Sequence, residues 1–269
     1  VRVTDRTVER NYLYSVNHAE SKLAKLQDMV TTGMNYSKPQ DDPIGVERSI
    51  ALRHHIAINQ QYLRNADRAL AWMSQVEQAL GDINQIINRA QDLAIQGETA
   101  TTPDDARAYI AMEIHQLRDE VMSIAQRTME GKSLLIGTMP VWKVGPGLTV
   151  TVNDLTGLLN QLADDLLTLE NGLSASDVSQ IRAGRAALEV AADAVLSQRA
   201  ENGARINRLE MLNGKMTSLD IEYKKLLSSS EDVDLSELLV RLQSAEAAYQ
   251  AALAVGARLI QPTLLDYLK

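Results

Sequence analysis

One spacing rule governs most of this chain: apolar residues recur at alternating steps of four and three. Tyr12, Val16, Ala19, Leu23, Leu26 and Val30 obey it near the start, and Tyr62, Ala66, Ala69, Met73, Val76, Leu80, Ile83, Ile87, Ala90 and Ala94 continue it without a missed step. Three further runs follow: Ile110 to Ile124, Leu209 to Leu226, and Leu235 to Leu259. A repeat of this kind lays its apolar members along one stripe of an α-helix, and such a stripe is stable only when packed along a partner. The rule predicts an all-α-dominated fold. Its second helix should run from about Pro43 to Gln96, roughly 80 Å at 1.5 Å per residue, which is longer than a compact domain is wide.

The punctuation between runs predicts the organisation. Gly33 follows the first run as a C-cap. TTPDD opens a third helix, with Thr102 as cap and Pro103 in the first helical position. Gly131 reads as a helix end. VWKV and LTVTV flank Gly145-Pro146-Gly147, a β-hairpin at about 138–153 and the one β signal in the chain. A short helix at about 157–170 precedes a capping-box pattern at Ser174 and Asp177. The next helix reaches about Leu227 before the break SSSED. Heptads at both ends of the chain want a partner seam, and pairing one end with the other satisfies both. The expectation is an elongated rod of two discontinuous domains: a terminal coiled coil of residues 1–42 with 230–269, and a central helical bundle of 43–229 carrying the hairpin.

Composition narrows the function. A net charge of -8, from 27 basic and 35 acidic residues, supplies no attraction for a phosphate backbone or an anionic membrane surface, so neither nucleic-acid binding nor membrane insertion is expected. With no cysteine there is no disulfide, thiolate metal site or cysteine nucleophile. No run approaches membrane-spanning length, and VRVTDRTVERNY lacks the apolar core of a secretory signal. His18, His54, His55 and His115 fall in helical pattern without HExxH spacing, and read as helix surface. EGKSLL resembles the end of a phosphate-binding loop, but Gln126 stands where a glycine is needed. Asn35-Tyr36-Ser37 matches a glycosylation pattern of low specificity. No nucleophile has a base and an orienting partner, so no catalytic, cofactor or metal site is expected.

The paired carboxylates of SKPQDDPIG read as joinery. Asp41 or Asp42 can accept hydrogen bonds from the free N–H groups of a helix opening at Pro43, and Pro39 and Pro43 exclude helical geometry from the residues before them. Pro39, Asp41, Asp42 and Pro43 thus form an expected elbow between the terminal helix and the long one.

TTGMNYSKPQDDPIGVERSIALR, YLRNADRALAWM and INRAQDLAIQ, with RAENGARINRLEML and SSSEDVDLSELLVRLQSAEAAYQAALAVGARLIQPTLLDYLK near the other end, resemble the bacterial flagellin superfamily over roughly residues 1–137 and 180–269. VRVT, KPQDDP and QPTLLDYL resemble its hook-filament junction branch more than its filament subunits, which typically carry an alanine-rich linker. The middle departs from that branch: a hairpin and a short helix stand where a larger β-rich outer domain is usual.

The resemblance implies an extracellular structural subunit of the flagellum, not an enzyme. It would be exported unfolded through the flagellar type III apparatus without a cleaved signal, and assembled as a ring between hook and filament. A reduced-size flagellin that polymerises into the filament is the alternative. The implied partners are further copies of itself, neighbouring hook-associated proteins and flagellin, and an export chaperone masking the C-terminal helix from Leu235 to Leu259. The implied assembly seam is Val16, Leu23, Leu26, Leu253, Leu259, Pro262, Leu264, Leu265 and Tyr267. Both ends are expected to be mobile in the secreted monomer and to order only on assembly, because two isolated helices of this length are marginal in water. Arg89 and Leu93 match a segment that innate immune receptors recognise in some flagellins.

Overall fold

The computed structural model describes residues 2–36 and 38–260. Among them are six helices and two small hairpins: α1 (Arg2–Thr32), α2 (Pro43–Glu98), α3 (Asp104–Ala125), β1 (Thr128–Met129), β2 (Lys132–Ser133), β3 (Val141–Gly145), β4 (Leu148–Thr151), α4 (Thr156–Ser174), α5 (Val178–Glu231) and α6 (Leu235–Ile260). The all-α-dominated fold follows from the periodicity, and α2 begins at Pro43 and ends within two residues of Gln96.

Several local readings need correction. Thr102 is not the cap of α3: its hydroxyl donates back to the Gln96 carbonyl at 2.8 Å, and Pro103 takes the N-cap place in extended geometry. Ser174 is the last turn of α4, not the cap of α5. Asp177 caps α5 itself, its Oδ1 accepting from the Ser179 and Gln180 amides and the Ser179 hydroxyl. Gly131 does not end a helix; with Glu130 it makes a two-residue turn at positive φ that joins β1 to β2, the backbone that a tight hairpin requires. The three serines of SSSED do not break α5, which runs through them to Glu231.

The chain divides into two compact units, one of the described residues up to Ala57 and from Ile221 onward, the other Ile58–Asp220. The division falls inside the long helices, not at the prolines and serines, because the first turns of α2 and last turns of α5 are bonded to the linkers that follow α1 and precede α6.

In the unit Ile58–Asp220, the seam of α2 from Ala66 to Ala94 is sealed at 0–1% exposure. It shares one core with Ile114, Val121 and Ile124 of α3, Leu159, Leu162, Leu166 and Leu169 of α4, and Ile181, Leu188, Val195 and Leu209 of α5. Two buried amides fix α2 against α5: Asn59 donates to the Met216 carbonyl at 2.7 Å and Asn202 to the Met73 carbonyl at 3.0 Å. The β3–β4 hairpin is antiparallel, pairing Trp142 with Val150. It is seated by the fully buried Val144, by Asn65 donating to the Lys143 carbonyl at 2.7 Å, and by Trp142 lying 5.7 Å from Trp72.

In the other unit α1 packs along α6. Tyr12, Val16, Ala19 and Leu23 are half-buried, and Leu26 and Leu238 are buried. The Tyr12 phenol donates to the Ala252 carbonyl at 3.0 Å, in a notch that exists because residue 256 is glycine: a Cβ there would collide with the Tyr12 hydroxyl. Leu235, counted in the seam from spacing, is 52% exposed, so the seam of α6 starts one step later at Leu238.

Candidate functional site

The residues around the expected elbow do local structural work. Pro43 is the first residue of α2. Asp42 accepts from the Gly45 amide at 3.0 Å, satisfying one of the free donors of that helix end. Asp41 does not cap. It closes the turn begun at Lys38, whose amide it accepts at 3.3 Å, and reaches Lys25 of α1 at 2.8 Å. The two carboxylates therefore tie the linker to the helices on either side of it; Asp41 also lines a shallow cleft of about 290 Å³ between α1 and the linker, where Lys25 already pairs with it.

The linker after α1 also pairs with the linker before α6. Asn35 N–H donates to the Glu231 carbonyl at 2.7 Å and Val233 N–H to the Gly33 carbonyl at 3.2 Å, while the Asn35 side-chain amide donates to the Asp232 carbonyl at 3.1 Å. The residue that could have been a glycosylation acceptor is thus part of a backbone ladder. Tyr36 is 7% exposed. Its phenol donates to the Gly45 carbonyl at 2.9 Å and bonds the hydroxyls of Ser49 and of Ser230, the latter at 3.1 Å. Beside it Arg53 grips the buried Glu231 through two bonds of 3.1 and 2.7 Å, and the carboxylate holds the guanidinium even more firmly protonated than usual. Spacing alone missed Tyr36, Ser49, Arg53, Ser230 and Glu231. Their one sequence signal is an aromatic residue inside a polar linker.

The expected assembly seam is divided. Val16, Leu23 and Leu26 face α6, whereas Leu253 is 44% exposed, with Val255 at 54% beside it. Pro262, Leu264, Leu265, Tyr267 and the side chain of Leu259 lie outside the described residues. From Ala247 to Ala257 the sequence AAYQAALAVGA carries no charge, although α1 covers only one face of it. Between α1 and α6 a groove of about 500 Å³ is floored by Ala19, Leu26, Ala245 and Ala248 and rimmed by Lys22 and Arg241. A helix that is apolar all round is normally buried all round, so this stretch of α6 stands more exposed than its composition would lead one to expect.

The remaining candidates fall elsewhere. Arg89 is exposed and paired with Glu113 at 2.5 Å, whereas Leu93 is 2% exposed, so the two residues of this segment differ in burial. His55 stacks on Tyr223 at 5.5 Å, and His115 lies 3.1 Å from Glu170. Among the described residues no three His, Asp or Glu side chains form a group suited to a metal, and no helix is long and apolar enough to cross a membrane. Lys132 of EGKSLL belongs to strand β2, not to a phosphate loop.

Comparison with known proteins places these features in a family. The bacterial flagellin N-terminal helical region matches residues 4–139, half of the chain. The flagellar hook-associated protein 3 of Salmonella typhimurium is 26% identical over 128 residues, 48% of this chain and 40% of that protein, less than half of the relative's own length. Its namesake in Escherichia coli is 22% identical over 303 aligned residues, covering 93% of this chain and 96% of that one. A flagellin of Halalkalibacterium halodurans is 24% identical over 256 residues, covering 93% and 90%. The crystal structure of FlgL from Bacillus cereus shares the fold at a TM-score of 0.60 and 16% identity, covering 66% of this chain and 99% of that one.

Proposed function

The chain belongs to the family of the bacterial flagellin N-terminal helical region, and from that premise we propose that it forms the junction ring between hook and filament of a bacterial flagellum. The family is one of structural flagellar proteins, not enzymes, and its members are parts of an external organelle. The finer reading is supported by the similarity to hook-associated protein 3, and its assembly above all by the charge-free stretch Ala247–Ala257 of α6, which leaves Leu253 and Val255 exposed. In a ring, further copies would cover it, with Val16, Leu23 and Leu26 holding α1 against α6 and Leu259, Pro262, Leu264, Leu265 and Tyr267 continuing the buried surface. Pro39, Asp41, Asp42 and Pro43 would serve as the elbow leading from these helices into α2. Burial of a leucine contributes about 1.5 to 3 kcal/mol, before the cost of ordering the chain is subtracted.

The same stretch would need masking before export, which fits a type III chaperone seated on α6 in the cytoplasm. Outside, the neighbours would be hook-associated proteins on one face and flagellin on the other. A second reading, a reduced-size flagellin that polymerises without limit, is favoured by the equal coverage of the H. halodurans flagellin and by the small size of the β3–β4 region. Seeded growth separates the two. Purified protein added to isolated hooks should form a short cap and stop. Unlimited filaments, seen by electron microscopy, would replace the junction reading with the second.

A further inference from the structure

We propose that Tyr36 and its socket are a latch that locks the two linkers together and, through them, secures the pairing of α1 with α6. This goes beyond the assembly reading and does not depend on it.

The linker ladder consists of few bonds. Asn35 N–H to Glu231, Val233 N–H to Gly33 and the Asn35 side chain to Asp232 are its described contacts, and a two-stranded pairing this short is not stable alone in water. Something else must hold residues 33–36 against 231–234. Tyr36 is placed to do so, because its single oxygen joins its own linker to two other segments: α2 through Gly45 and Ser49, and the last turn of α5 through Ser230. With the phenol proton on the Gly45 carbonyl, the two lone pairs of the oxygen match the two serine hydroxyls, so its hydrogen-bonding capacity is filled. Ser49 is 3% exposed and Tyr36 7%, so water cannot easily replace these bonds.

The socket requires the glycine at position 45. A Cβ there would lie 2.8 Å from Cε1 of Tyr36 and would also collide with the Asp42 carboxylate that caps α2. Gly45 therefore admits the latch and the cap together. α1 ends at Thr32, directly before the ladder, and α6 starts at Leu235, directly after it. A seated phenol consequently fixes the facing ends of both helices, and lowers the entropy cost of bringing them together along their length.

Hydrogen exchange on the full chain tests this. In Tyr36→Phe, the amides of both linkers and of α1 and α6 should exchange about tenfold faster, as expected for losing a buried hydrogen bond, while 66–94 of α2 and 159–173 of α4 stay unchanged. Gly45→Ala should reproduce the effect by closing the socket from the other side. Wild-type exchange in both variants would overturn the proposal. So would acceleration confined to the linkers, acceleration spread equally through both units, or α1 and α6 amides already unprotected in the unaltered chain.

Discussion

The two compact units obey the same heptad rule and bury it to different depths. In Ile58–Asp220 the seam of α2 is closed at 0–1% exposure, because α3, α4, α5 and the β3–β4 hairpin share one core with it. In the other unit α1 and α6 have chiefly each other: Leu26 and Leu238 are buried, but Val16 and Leu23 stay half-exposed, and Leu253 and Val255 face outward. A heptad therefore locates a seam without stating how many neighbours cover it. The shortfall of cover is what the proposed assembly would make good.

The largest test of that contrast is truncation of the core. Leu166→Ala, at a site with no exposure, should cost about 2 to 5 kcal/mol, read as a lowered urea midpoint by circular dichroism. Leu26→Ala should cost less, about 2 kcal/mol at the lower end of that range, since Leu26 is 8% exposed and borders the open groove beside α6. Equal losses would mean that the units are consolidated alike.

Next in size is Gly256→Ala. The new methyl meets the Tyr12 phenol, and overpacking of this kind costs about 1 to 3 kcal/mol. The helix lost should match α1 and α6 while the transition of the other unit stays in place, and adding Tyr12→Ala should recover part of the loss. A double-mutant cycle with no coupling would remove the notch as a register pin. Glu231→Gln should be milder still. It weakens the grip on Arg53, but the guanidinium is 55% exposed, so solvent screening holds the cost to about 1 kcal/mol or less.

How much of this was legible in the sequence depended on range. The seams and the ends of α2 were readable because helical period is a local property repeated many times. β1 and β2 were not, since two-residue strands are too short to show alternation. Ser228 to Ser230 looked like a break because serine is an indifferent helix former; Ser230 is kept in the helix beside its bond to Tyr36, a partner 194 residues away. Leu93 sits one position before the seam residue Ala94, and is buried because a helix with several neighbours buries a stripe wider than its a and d positions. The Tyr36 socket was illegible for the same reason as Ser230: its parts come from three separated segments.

The smallest expected effect is on pH, and it belongs to Ile58–Asp220. Asp154 accepts from the Thr156 hydroxyl and amide and from the Gly137 amide, and Asp177 accepts in the same manner at the start of α5. In both cases these bonds, led by the side-chain hydroxyl, hold the carboxyl below its ordinary value of 3.8. A group whose pKa is depressed by folding stabilises the fold fully above the unfolded value, and loses that contribution as pH falls through the folded one. The urea midpoint of this unit should therefore drop on acidification below about pH 4, and Asp154→Asn with Asp177→Asn should flatten that drop while lowering the midpoint near neutrality. Both caps are exposed, so the change should be modest and salt-sensitive. An unaltered acid limb in the double variant would mean that the caps hold their loops by geometry alone, and that the acid sensitivity of the better-sealed unit arises elsewhere.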